Sequence, residues 1–362
     1  MKTYRVDFKP ISSYFFGNEK TFPYPGQETG QHLSNAYYIK SERAPSQTTI
    51  LGALRYLFLA HKRNDYSYSD QEFSENTARV GSESFDITRK EEQDFGIIHQ
   101  ISPIFLYREG DGILIPTPFD HNTESQSDKY QPFESYSVVE TPDGAKLYTS
   151  DYNSKSRLTD CYMTLNTQTL VPCDQIFSFE DRTGIATDKT QNAFFKKRYV
   201  ALKNGYCFST YLTLSDDGAV DALKSSSSGT ISVFMGQGKS VFLVSFTEEE
   251  NTVQAKASAM LKRKLPLDGE ALYFMGDTVI PQSSALYEKT VFSVMKTKDY
   301  RTFRIAYENS ENGKRGSFRK ESTLYKMIAA GSILITPSAN DVLNLIKNPN
   351  AQKIGLNQIV KG

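Results

Sequence analysis

The sequence predicts an α+β protein made of two sandwiches, each an antiparallel sheet with helices on one face. Three observations predict it. The aromatic content of 12% is all Tyr and Phe, with no Trp, and these rings favour pleated, half-buried surfaces. Strand signals outnumber helix signals along the chain. The order strand, helix, strands occurs twice. A length of 362 residues fits two domains of about 100–200 residues each, and the boundary is placed between 1–203 and 204–362.

In MKTYRVDFKP, Tyr4, Val6 and Phe8 alternate and predict a first strand over Thr3 to Phe8. An irregular aromatic segment, 15–22, and a Gly/Pro/Gln-rich loop follow. In PSQTTILGALRYLFL, Ile50, Leu51, Leu54, Leu57 and Phe58 recur with helical spacing, so a helix is expected over about Thr48–Lys62. Ser46 or Thr48 stands where a side-chain oxygen accepts from the first-turn amides. Residues 64–93 are polar, lack a sustained period and read as a surface insertion. Gly110-Asp111-Gly112 between two apolar runs predicts a hairpin. The stretch from His121 to Lys155 reads as loop-rich.

Residues 181–199 read as a protruding hairpin with basic ends. Tyr206, Phe208, Thr210, Leu212 and Leu214 alternate in a strand. Asp216-Asp217-Gly218 and Ser225–Gly229 read as turns. Strands at Ile231–Met235 and Ser240–Phe246 flank the glycine turn Gly236-Gln237-Gly238-Lys239. A helix from about Thr252 to Lys264 ends before Pro266. Strands are expected at Ala271–Met275, Val291–Lys296, Phe303–Tyr307 and Ser332–Ile335. Ser338 to Asp341 forms a capping-box pattern ahead of a short helix, Val342–Ile346.

Lys plus Arg and Asp plus Glu both number 42, for a formal net charge of zero. That argues against a protein coating nucleic acid by bulk charge, although a local basic groove is compatible with it. Cys161, Cys173 and Cys207 show no paired spacing, so neither a zinc site nor a disulfide framework is expected. A reducing cytoplasm is the simplest setting. The start lacks the apolar core of a signal peptide, and no run is long enough to cross a bilayer. His32, His61, His99 and His121 form no metal spacing. No metal, cofactor or catalytic set is expected.

Four segments could carry binding chemistry. Ser46, Gln47, Thr48 and Thr49 open a helix whose unpaired amides and dipole suit a phosphate, and Arg55 on the second turn adds a fork of donors. An ordinary capped core helix has the same sequence. Arg182, Thr183, Lys189, Lys196, Lys197 and Arg198 ring the hairpin with Phe194 and Phe195 inside, which suits phosphates and bases. A solvated surface hairpin fits equally. Gly236, Gly238 and Lys239 permit close backbone approach, or form a plain hairpin turn. Lys314, Arg315 and Arg319 lie in GKRGSFRK, which reads as a phosphate-lining loop or a surface loop.

Taken in order, these segments resemble the RAMP superfamily of CRISPR proteins, above all the third subunit of type III-B (Cmr) effector complexes. PSQTTILGALRYLFL resembles a Pro-Ser-Thr-Leu-Leu-Gly-Ala-Leu-Arg segment of that family. RTGIATDKTQNAFFKKRYVAL with GYCFSTYLTL, GQGKSVFLVSF and AAGSILI are similar to further family segments.

The resemblance implies two ferredoxin-like (RRM-like) domains with loop insertions and a thumb hairpin. It implies a non-catalytic subunit that caps the 5′ tag of the CRISPR RNA. The implied neighbours are the large polymerase-like signalling subunit and a backbone RAMP subunit, with target RNA met indirectly and no membrane. Lys20 joins the implied RNA-binding residues. The alternatives are a guide-processing endoribonuclease of the superfamily using His32 or another His as general acid/base, a scaffold subunit that touches protein only, and the equivalent subunit of a type III-A or III-D complex.

Overall fold

A computed structural model describes residues 1–17, 37–60, 70–82, 84–125, 127–153, 158–188, 191–203, 205–226, 230–236, 238–280, 283–301, 303–310, 313–320 and 323–362. The architecture is mixed α/β and sheet-rich. The chain opens with β1 (Lys2–Pro10), β2 (Tyr37–Lys40), α1 (Gln47–Ala60) and α2 (Asp70–Val80). Next come β3 (Ile98–Ile101), β4 (Phe105–Arg108), β5 (Gly112–Pro116), β6 (Tyr136–Thr141) and β7 (Gly144–Thr149). After β8 (Cys161–Thr164), β9 (Leu170–Pro172) and α3 (Cys173–Ile176), a long hairpin forms from β10 (Phe177–Asp188) and β11 (Gln191–Leu202). Then follow β12 (Tyr206–Leu214), α4 (Ala219–Ser226), β13 (Ile231–Met235) and β14 (Ser240–Glu248).

The remainder begins with α5 (Val253–Leu261), β15 (Glu270–Phe274), β16 (Thr278–Val279), α6 (Ser283–Glu288) and β17 (Phe292–Val294). A second arm is made by β18 (Thr297–Tyr300), β19 (Phe303–Ser310), β20 (Gly313–Lys320) and β21 (Tyr325–Ile328). The chain closes with β22 (Ile333–Thr336), α7 (Ala339–Leu345), α8 (Pro349–Lys353) and β23 (Ile359–Lys361).

The largest sheet runs β13-β14-β1-β12-β4-β5-β8-β9, with β3 also on β12. In its centre β1 is antiparallel to both β12 and β14, pairing Val6 with Thr210 and with Phe246. A second sheet runs β17-β22-β15-β23, again with every pair antiparallel. The two share one connectivity. Each first strand, β1 or β15, lies between its fourth and third, and the second strand lies outside the third. Each also carries a long arm between its second and third strands: the β10–β11 hairpin, and the hairpin begun by β18–β21. The boundary predicted at 203/204 is therefore corrected. It falls inside the first sheet, because the inserted hairpin separates β12 and β14 from the strand they pair with.

Ile50, Leu54, Leu57 and Phe58 of α1 pack on Tyr4, Val6, Phe8 and Leu212, together with Val220 and Leu223 of α4. Each such side chain, fully buried, stabilises the fold by about 1.5–3 kcal/mol. The other face of the first sheet is apolar too: Phe105, Ile115, Met163 and Tyr211 meet Val253, Ala257 and Leu261 of α5, and Tyr273 and Ile333 of the second sheet. That is why β12 is buried on both sides although only one face alternates in sequence. In the second sheet, Leu272, Phe274 and Leu334 are covered by Leu286 of α6 and Val342 of α7.

Several local expectations change. The polar 64–93 stretch contains α2. Asp216-Asp217-Gly218 leads into α4 instead of a hairpin, with the Gly218 amide donating to Asp216 Oδ1 at 3.0 Å, and Ser225 lies within that helix. The 121–155 stretch contains the β6–β7 hairpin over residues 136–149. Ser338 precedes α7 but makes no side-chain cap hydrogen bond. Among the described residues no helix is long and apolar enough to cross a membrane.

Candidate nucleic-acid interface

The start of α1 is capped as the sequence predicts. The Thr49 amide donates to Ser46 Oγ at 3.2 Å, and the amides of Thr49 and Ile50 reach the Ser46 carbonyl. Ser46 is exposed, with Thr48 and Thr49 half-buried. Their hydroxyls lie 3.0 and 2.8 Å from Ser46 Oγ. The helix tip is thus at the surface.

Two residues of this segment point elsewhere. Gln47 is buried, and its amide donates to the Ser102 carbonyl at 2.7 Å. It is corrected from phosphate seat to internal tie. Arg55 is not on the second turn. It lies eight residues beyond Gln47, about 12 Å along the axis at 1.5 Å per residue. Its guanidinium lies over the Phe95 ring at 5.4 Å and donates to the Asp94 carbonyl at 3.3 Å. Burial lowers its pKa to about 10. The Arg55 side chain is spent on the 94–95 segment and does not join the helix tip.

The β10–β11 hairpin, the thumb, places its basic residues in cross-strand register: Asp181 opposite Arg198, Arg182 opposite Lys197, Thr183 opposite Lys196. β2 runs parallel along β11, setting Tyr38 beside Lys196 and Lys40 beside Arg198. One side of this small sheet gathers Tyr38, Phe179, Asp181, Lys196 and Arg198. Arg198 donates to Asp181 at 2.8 and 3.2 Å, and Lys196 pairs with it at 3.0 Å. These partners hold the Asp181 carboxyl well below its usual range. The Arg198 guanidinium lies 5.3 Å from the Tyr38 ring and 5.8 Å from the Phe179 ring.

The opposite side holds the other cations. Arg182 pairs with Glu180, donates to Ser13 Oγ at 2.6 Å and covers the Tyr199 ring at 4.3 Å. Lys197 lies over the Phe15 ring at 5.4 Å. The six residues 41–46 join thumb and helix. The Ser41 amide donates to the Arg198 carbonyl at 2.9 Å, and five residues later Ser46 caps α1.

The glycine turn sits beside this joint. Gly236 adopts φ +75, and a Cβ there would lie 2.4 Å from the Phe15 carbonyl oxygen. The close approach it permits is to Phe15, which replaces the predicted approach to a ligand. Gly238 (φ +93) has open space around it, and exposed Lys239 takes φ 53 in the same turn. Lys314, Arg315 and Arg319 lie on strand β20, opposite Asn309, Glu308 and Arg304, where a loop was expected. Lys20, Lys189, His32 and His61 lie outside the described residues.

Of the remaining histidines, His99 is exposed and His121 is buried beside the Gln131 backbone. Among the described residues no three His, Cys, Asp or Glu side chains form a metal-holding group. Sequence reasoning missed Tyr38 and Phe179. Their signal was an aromatic beside a basic strand, legible only once β2 is known to lie along β11.

The described residues thus form a sheet-rich chain with a basic, aromatic-footed hairpin beside a capped helix. Residues 7–361 match the family model described as CRISPR-associated protein (Cas_Cmr3). The chain belongs to that family and is a type III CRISPR effector subunit. Similar solved chains include the following three. One is the type III-B Cmr-beta complex bound to cognate target RNA, at 16% identity and TM-score 0.49, covering 98% of this chain and 96% of that one. Another is the Csm3-Csm4 subcomplex of the type III-A interference complex, at 11% and 0.38, covering 91% and 92%. The third is the Csm1-Csm4 cassette with pppApA, at 12% and 0.36, covering 92% and 87%. No curated protein matches in sequence.

Proposed function

We propose that this chain is the non-catalytic subunit that holds the 5′ tag of the CRISPR RNA. In this reading it docks the large polymerase-like subunit on one side and a backbone RAMP subunit on the other, within the cytoplasm. The fold reading that accompanies it is two ferredoxin-like units, supported by the shared connectivity of the two sheets. The observation that carries the functional reading is the tie between Ser41 and Arg198. It brings the exposed cap of α1 and the foot of the thumb together, so one RNA strand can cross from helix amides to thumb cations. Single-stranded RNA is held this way, by phosphates along a cationic track and by splayed bases on aromatic rings.

Arg182 is paired with Glu180, and Lys196 and Arg198 with Asp181, but the pairs lie at the surface and are screened by solvent. A phosphate can take the place of a carboxylate there at little cost. The test is reconstitution of the effector complex with a Lys196→Ala/Lys197→Ala/Arg198→Ala chain. The expected result is loss of bound guide RNA as salt rises, since each lost phosphate contact removes salt-dependent affinity. Unchanged guide retention and unchanged salt dependence overturn the reading.

A further inference from the structure

Four donors converge on one surface carboxylate at the foot of the thumb. Asp181 accepts from Arg198 Nε at 2.8 Å, Arg198 Nη2 at 3.2 Å and Tyr38 Oη at 3.3 Å, and pairs with Lys196 Nζ at 3.0 Å. Two full positive charges therefore face one negative charge, which leaves the cluster net cationic. The donors reach both carboxylate oxygens, and a phosphodiester offers two free oxygens to the same kind of donors. The cluster lies at the surface, with the Lys196 side chain 51% exposed. Pairs so exposed do little to hold a fold, so fold stability does not account for the gathering.

The aromatic neighbours add a second, independent observation. Tyr38 is 45% exposed and Phe179 49% exposed. Both rings flank Arg198, and the amines of Lys40 and Lys196 lie 5.6 and 5.7 Å from the Tyr38 ring. Large rings left in water beside cations are the pattern of a base-stacking surface.

We propose that Asp181 is an internal stand-in for an RNA phosphate, and that Tyr38 and Phe179 stack the unpaired bases on either side of that phosphate. The inference rests on the reading that this face meets RNA, and adds the seat, the competitor and the stacking rings. In the free chain Asp181 holds Arg198 and Lys196 in position. When RNA arrives, a phosphate exchanges with the carboxylate and no covalent bond changes. The carboxylate thereby lowers affinity for loosely held anions and favours a strand that also offers bases to the two rings.

The full chain is titrated with a fluorescein-labelled single-stranded RNA of about ten nucleotides across a KCl series. Tyr38→Ala and Phe179→Ala are each expected to weaken binding roughly tenfold, while Tyr38→Phe retains it. Asp181→Asn is expected to tighten binding several-fold and to steepen the salt slope by about one. Parental affinity in both alanine variants, or unchanged or weaker binding in Asp181→Asn, overturns the proposal. If the Lys196/Lys197/Arg198 triple variant still loses RNA in that case, the functional reading survives alone. If the parental chain binds no RNA, both fall. Photocrosslinking of 4-thiouridine RNA to the unaltered chain guards against a misfolded variant. Adducts on the Tyr38 or Phe179 peptides are expected, and adducts solely elsewhere overturn the proposal.

Discussion

Gln47 donates its side-chain amide to the carbonyl of Ser102 at 2.7 Å, and both residues are buried. The same carbonyl accepts from Thr210 Oγ1 at 2.8 Å, so the second residue of an exposed cap is tied to strand β12. Gly355 closes over this tie, since a Cβ there would lie 2.4 Å from Gln47 Nε2. Gln47→Ala is expected to cost about 1–3 kcal/mol of stability through the lost buried hydrogen bond and its cavity. Chemical denaturation measures it. RNA affinity per folded molecule should stay at the parental value, which separates Gln47 from its neighbour Ser46.

Arg55 gives the opposite result to a phosphate ligand. Its guanidinium is held on Phe95 and the Asp94 carbonyl, so Arg55→Met should leave RNA binding and its salt slope unchanged. Stability should move by less than about 1.5 kcal/mol, because Met refills the apolar part of the site. A steeper loss of RNA than of stability, read in parallel titrations, refutes this placement.

Gly236 and Gly238 share one turn and differ in surroundings. Gly236→Ala meets both a positive φ and the Phe15 carbonyl, whereas Gly238→Ala meets only the positive φ. The first is expected to destabilise by roughly 2–4 kcal/mol and the second by about 1 kcal/mol. Comparing the two midpoints in urea isolates the cost of the Phe15 contact.

His121 sets an acid limb. Burial lowers its imidazole from the ordinary 6.5, with Asp120 working against that shift. The unfolded chain then binds the proton more readily, so stability is lost as pH falls from about 6.5 through the lower folded value. His121→Gln should flatten the stability profile just below pH 6.5, while the steeper carboxylate limb below about pH 4 remains. Urea midpoints across that range measure it.

Local chemistry was legible and long-range pairing was not. The apolar spacing of Ile50 to Phe58 and the Ser46 cap predict α1, because each depends on neighbours within one or two turns. The Gly110–Gly112 hairpin is legible for the same reason. The helix α4 was missed because Asp216-Asp217-Gly218 serves a helix start as readily as a hairpin turn. The α2 helix hid in a stretch too polar to show an apolar stripe.

The candidate site divides along the same line. Residue types marked Lys196 and Arg198, but only the parallel run of β2 along β11 brings Tyr38 to them. Gln47 and Arg55 carried the right chemistry, and tertiary packing turned both side chains to other partners. The domain boundary failed because an inserted hairpin looks, in sequence, like the end of a sheet.

The pairing of Lys2 with Leu214 has a consequence for biosynthesis. Ribosomes add about 5–20 residues per second, so β1 emerges some 10–40 seconds before its first sheet partner exists. Through that interval Tyr4, Val6 and Phe8 form an apolar strand with two open edges, a hazard for mispairing in a crowded cell. A nascent chain stalled before residue 206 should therefore recruit chaperones strongly. One stalled far enough beyond 248 for β12 and β14 to clear the exit tunnel should release them.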